Sequence, residues 1–78
     1  MGHNRDQKYI SAFGENLRKL RVSKGLAQEE LAHICEIPLS QIGRFERGVR
    51  SPTLSSILVL AKGLGVEPKV LLDFKYRG

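Results

Sequence analysis

Between Gln28 and Gly48, two stretches of helical spacing stand with only Glu36 and Ile37 between them. The first, 28–35, turns Leu31, Ala32 and Cys35 to one side. The second, Pro38 to Arg47, turns Ile42 and Phe45 inward. So short a joint, closed by a proline, forces a sharp change of direction, because proline opens a helix well but cannot sit inside one. No segment alternates apolar and polar residues as a half-buried strand would. The spacing therefore predicts an all-α fold built around this tight corner.

The rest of the chain supplies helices of the same kind. A first helix is predicted over 11–24, with Phe13, Leu17 and Leu20 at i, i+4 and i+7 as its buried stripe. Gly25, Gly48 and Gly65 are read as helix stops. Glu29 and Glu30 suit the positive end of the second helix. Thr53 caps a fourth helix from Leu54 to about Leu64, expected to bury Leu54, Ile57, Leu58, Ala61 and Leu64. A short fifth helix is predicted over Pro68 to Asp73, with Phe74 beyond it. Residues 1–10 are read as a loose arm, 11–74 as one five-helix domain and 75–78 as a tail. The pair at 28–35 and 38–47 has the form of a helix-turn-helix unit. With 78 residues the core is modest, which favours help from a second subunit.

Thirteen Lys and Arg against eight Asp and Glu leave a net charge of +5. A basic balance on a small domain points first to nucleic acid and second to an acidic membrane surface. No apolar run approaches the roughly 18 residues that a membrane-spanning helix needs, so no membrane partner is expected. The single cysteine, Cys35, cannot form an internal disulfide, which fits the cytoplasm. His33 and Cys35 lie about 200° apart on a helix and cannot share a metal. Ser11, His33 and Asp73 are scattered over different elements, and no GxxxxGK[ST] loop occurs. Enzymatic activity, a metal, a cofactor and a small-molecule ligand are accordingly not expected.

Stepping about 100° per residue from Ile42 puts Phe45 and Glu46 on the inward side of the third helix. Ser40, Arg44 and Arg47 cluster on the opposite face, with Gly43 at their margin and Gln41 on the flank. Pro38 and Leu39 start the helix. Arginine matches guanine O6 and N7, glutamine matches adenine, and an apolar side chain can touch a thymine methyl. A merely solvated face would favour the same residue types. The short turn, the proline start and the basic charge favour DNA.

The run LAQEELAHICEIPLSQIGRFERGVRSPTLSSILVLAKGLGVEP, with FGENLRKLRVSKG ahead of it, resembles the helix-turn-helix family of phage Cro and repressor proteins, also called the xenobiotic-response-element (XRE) family. The resemblance covers residues 12–73, and IGRFERG with the compact fifth helix looks closest to small stand-alone regulators such as restriction–modification controller proteins. It implies a lambda-repressor-like DNA-binding domain. Pro38, Leu39, Ser40 and Arg44 match positions that face base edges. Gln28 and Gly43 match positions on the DNA backbone, where Gln41, Arg47 and Arg50 are also expected. Arg21 and Glu46 match a buried ion pair between the first helix and the recognition helix. Three departures stand out: Ala27 in place of a capping serine or threonine, Glu36 where glycine is common, and Pro38 and Leu39 in place of polar readers. The backbone at Glu36 is therefore expected to differ.

The C-terminal VLLDF closes the core or forms the seam of a symmetric dimer. The seam is the favoured expectation, over Leu64, Val66, Val70, Leu71 and Phe74. Function is expected to be transcriptional regulation by a homodimer on a near-palindromic operator, since dimers of this motif read two half-sites one DNA turn apart. The alternative is an antitoxin-type protein that binds a toxin through an exposed apolar surface and represses its own operon.

Overall fold

The computed structural model describes residues 6–75. Among these residues the chain forms α1 (Gln7–Ser23), α2 (Gln28–Cys35), α3 (Leu39–Glu46), α4 (Leu54–Leu64) and α5 (Pro68–Leu71), with no strand. α1 packs against α3 and α5, α2 against α3 and α4, and α4 against α5. Phe13, Leu17, Leu31, Ile42, Phe45, Leu60, Leu64 and Leu71 fill the space between them.

α1 starts four residues earlier than the apolar stripe predicts. Asp6 caps it, with the carboxylate Oδ1 accepting from the Tyr9 N–H at 3.1 Å. The added turn brings Ile10 into the core one turn ahead of Phe13 and Gly14. The loose arm read over 1–10 is thus corrected for 7–10, which are helical, and 1–5 lie outside the described residues. Of the tail 75–78, Lys75 alone is described.

Gly14 is no helix stop but the point where α1 meets the end of α3. A methyl group on it would collide with the carbonyl oxygen of Phe45 and stand 2.9 Å from that of Glu46. Only a residue without Cβ lets the two backbones approach this closely. Nearby, the Gln7 amide donates to the Gly48 carbonyl at 2.7 Å, a second tie between α1 and the end of α3.

α1, α2, α3 and α4 end the same way. Past each end stands a residue with positive φ, the first beyond α2 and α4 and the second beyond α1 and α3, and the N–H after it reaches back five residues: Leu26 to Arg21, Ile37 to Ala32, Val49 to Arg44 and Val66 to Ala61. Glycine occupies the left-handed position at 25, 48 and 65, and Glu36 occupies it at the corner, with φ 55°. The backbone at Glu36 therefore keeps the shape that glycine would take, contrary to the expectation that it differs. Pro38 does not open α3 from within but caps it, with extended ψ 142° and its carbonyl accepting from Ile42. The recognition helix proper is thus 39–46, one residue shorter at each end than read from the sequence.

α4 also departs from its periodicity. Leu60, Ala61 and Leu64 are buried, but Leu54 and Leu58 stand 74% and 49% exposed. α5 is four residues long and folds back onto α1 as well as α4, so it leaves those two leucines uncovered.

Because Glu36 sits in a left-handed conformation that costs a side-chain-bearing residue about 1–2 kcal/mol, Glu36→Gly should raise stability by roughly 0.5–1 kcal/mol after glycine's larger entropy loss on folding. Urea unfolding measures this, and a lower midpoint would show that the Glu36 side chain itself stabilises the corner.

Candidate nucleic-acid interface

α3 is held to the domain by a buried knot of polar groups. The Arg21 guanidinium from α1 grips the Glu46 carboxylate with two bonds, Nε to Oε2 at 2.6 Å and Nη2 to Oε1 at 3.0 Å. Its third nitrogen, Nη1, donates to the Leu26 carbonyl at 2.8 Å. Gln28, the first residue of α2, donates its amide to the same Oε1 at 2.9 Å. The side chains of Arg21 and Glu46 are 11% and 3% exposed. Hydrogen bonding to Glu46 and its charge hold the Arg21 guanidinium above its already high ordinary pKa, against the opposing effect of burial. The pair is therefore charged at any working pH on the arginine side. One carboxylate thus joins three helices.

This fixes which face of α3 looks outward. Leu39, Ser40, Arg44, Arg47 and Arg50 are exposed, as is Pro38 ahead of them. Gln41 is half-buried on the flank. Arg44 and Arg50 line a shallow depression with Val49 and Ser51, at the point where α3 gives way to the loop before α4. Among the described residues the ion pairs are Arg21 with Glu46 and Lys69 with Glu67. Arg44, Arg47 and Arg50 thus present three guanidiniums with no carboxylate to neutralise them. Such a surface attracts a polyanion. Gln28 is half-buried, with its amide bonded to Glu46.

The ends of α2 and α4 that flank this face are closed by different means. Ala27 has no side-chain oxygen, and Glu30 compensates by accepting from the Ala27 N–H at 2.7 Å. Thr53 caps α4, accepting from the Ser56 N–H at 3.0 Å.

The C-terminal segment corrects the expected dimer seam at Leu64 and Leu71 alone. Leu64 and Leu71 are 4% and 0% exposed, so they belong to the core and are closed to a partner. Val66 and Phe74 pack, partly buried, against the same core, and Val70 is half-buried. The Phe74 ring lies 5.1 Å from that of Tyr9. The Asn16 amide donates to the Val70 and Leu71 carbonyls at 3.0 and 2.9 Å and so satisfies the end of α5. Sequence reasoning missed Asn16, Gln7 and Tyr9, since polar residues on an amphipathic helix carry no sign of what they will meet. It could have found Gly14, because a glycine inside a helical stripe signals close approach. Leu54, Leu58 and Val59 of α4 are exposed, with Leu72 just after α5, and Val22, Ile34 and Val49 are exposed elsewhere.

Cys35 is buried, its thiol donating weakly to the Val59 carbonyl at 3.6 Å, and burial pushes its pKa up. That environment makes it a small core residue and a poor nucleophile. His33 is exposed on the outer side of α2. No helix among the described residues is long and apolar enough to cross a membrane.

Comparison with known proteins places this geometry. The helix-turn-helix family model HTH_3 matches residues 17–71. The control protein C.BamHI of Bacillus amyloliquefaciens is 44% identical over 63 residues, covering 80% of this chain and 78% of that protein. The crystal structure of the restriction-modification controller protein C.AhdI from Aeromonas hydrophila superposes with a TM-score of 0.78 at 45% identity, covering 80% of this chain and 94% of that one. The controller protein C.Esp1396I, solved as a tetramer in complex with its natural 35 base-pair operator, superposes with a TM-score of 0.80 at 29% identity, covering 87% of this chain and 90% of that one.

Removing one member of a buried ion pair leaves the other unpaired, at a cost of about 3–5 kcal/mol. Glu46→Ala should therefore destabilise strongly, and Arg21→Ala/Glu46→Ala should lose less than the two single losses combined. Chemical denaturation of the four proteins tests this. Additive losses would mean that the two side chains act independently.

Proposed function

The chain belongs to the HTH_3 helix-turn-helix family, and we propose that this DNA-binding transcriptional regulator works as a homodimer, laying α3 in the major groove of each half of a near-palindromic operator. The observation that carries the reading is the outward face of α3, where Leu39, Ser40, Arg44 and Arg47 are exposed and the arginines have no carboxylate partner among the described residues, while Glu46 is locked inward. Arg44 is the principal base reader, with the bidentate donors that suit a guanine edge. Ser40 is short and able to donate or accept, and it pairs with a base or a phosphate close to the helix. Leu39 and Pro38, which bring no side-chain donor, reach the groove as apolar contacts suited to a thymine methyl. Gln28, Gln41, Gly43, Arg47 and Arg50 face the sugar–phosphate backbone, which sets register and much of the affinity. The work is binding and not catalysis, and its place is the cytoplasm.

Likeness to controller proteins, one of them solved on its own operator, supports a role beside restriction–modification genes. The dimer rests on the exposed leucines of α4, Leu54 and Leu58, with Leu72, which a second copy would cover. The antitoxin alternative needs an exposed apolar surface for a toxin. Burial of Leu71 and the packing of Phe74 on Tyr9 take these two residues out of such a surface.

Selection from a random duplex pool should return two related half-sites about 34 Å, or one DNA turn, apart. A lone half-site would contradict the dimer. On the selected duplex, Arg44→Ala should cost about 1–3 kcal/mol and relax preference at one base pair of each half-site. An equal loss on every sequence would make Arg44 a phosphate contact.

A further inference from the structure

Gly43 is the least expected residue of α3, since glycine inside a helix costs about 1 kcal/mol relative to alanine. The structure shows what occupies the space that its missing side chain leaves. A methyl group on Gly43 would stand 2.9 Å from Nη1 of Arg47 and 3.8 Å from its Cζ, and apart from its chain neighbours and its own helix backbone no other described residue comes within 4 Å. Gly43 is buried even so, and the guanidinium is its cover. The Arg47 side chain has turned back one helical turn and lies over the bare backbone at 43. No other helix approaches there, in contrast to Gly14, where the crowding atoms are backbone carbonyls of another helix.

Among the described residues the Arg47 guanidinium has neither a hydrogen bond nor an ion pair. Its N–H donors thus have no partner within the described protein. Had residue 43 carried a side chain, the guanidinium would have been pushed away from the helix axis.

We propose that Gly43 is a seat for Arg47, letting Nη1 of its guanidinium tuck in beside the bare backbone at 43 so that the group clamps a DNA phosphate level with that residue. This rests on the reading of α3 as the DNA-contacting helix. Arg47 is the contacting residue and Gly43 the positioning residue. Phosphate suits the place, because residue 43 lies at the margin of the face on which Ser40 and Arg44 stand. A planar fork of donors also matches phosphate oxygens two at a time. A pre-seated guanidinium gives up less side-chain freedom on binding than one that must be ordered by the DNA.

The test uses the full chain and the duplex that the wild-type protein selects from a random pool, with affinity measured across a range of salt. Arg47→Ala should weaken binding roughly tenfold or more and flatten the log–log salt slope by about one. Gly43→Ala should shift both in the same direction, although its thermal unfolding midpoint is no lower than wild type, since only the tip of a flexible side chain must move. The double variant should bind no more weakly than Arg47→Ala alone. Wild-type affinity and slope for Gly43→Ala would overturn the proposal, as would losses that multiply in the double variant, because Gly43 would then act on its own account. A change of preference at one base pair with the salt slope intact would overturn the assignment to phosphate. A wild-type protein that binds no duplex in a salt-dependent way would instead bring down the DNA-binding reading itself, a result visible before any variant is made.

Discussion

The Glu46 carboxylate is the constraint on which the remaining geometry depends. It lies 3% exposed in a small domain, where an unpaired charge would be intolerable, and it receives three hydrogen bonds from two other helices. Arg21 anchors it to α1, and Gln28 anchors it to the start of α2. With Glu46 fixed at the end of an eight-residue helix, α3 cannot roll about its axis. Rotation by one residue would carry the carboxylate into solvent and Arg47 into the core. The buried pair therefore acts less as a source of net stability than as a register pin, the best-attested use of such pairs. What it pins is the direction in which Ser40, Arg44 and Arg47 point.

The close crossing of α1 over the end of α3 supports the same end. Gly14 lets the backbones touch, and the Gln7 amide holds the Gly48 carbonyl beyond the helix. α3 is thus fastened at its C-terminal end, while its N-terminal end is set by the Glu36–Pro38 corner. That leaves Leu39, Ser40 and Arg44 on a short rigid element, as precise recognition requires. Two glycines of the same chain serve opposite purposes. Gly14 admits a neighbouring backbone, and Gly43 admits a side chain of its own helix.

Much of this was legible in the sequence because apolar spacing reports helices directly. The corner between α2 and α3, the inward turn of Ile42, Phe45 and Glu46, and the Thr53 cap all follow from local pattern. Spacing does not report what covers an apolar stripe. Leu54 and Leu58 repeat at helical intervals and yet face solvent, because α5 is too short to reach them. Leu64 and Leu71, which looked available to a partner, are core for the converse reason: α5 folds back and closes over them. The start of α1 was hidden because its first turn is polar, so the Asp6 cap lay outside the apolar stripe. The bond to Glu46 from Gln28 joins residues 18 apart and has no local signature.

An NMR titration of the labelled protein with its selected duplex tests most directly whether α3 is the element that meets DNA. The amides of 39–44 and the guanidinium Nε–H signals of Arg44 and Arg47 should move on binding. The Nε–H of Arg21, held 2.6 Å from Glu46, should stay where it is. Shifts centred on α4 and α5, with α3 unmoved, would contradict that role of α3.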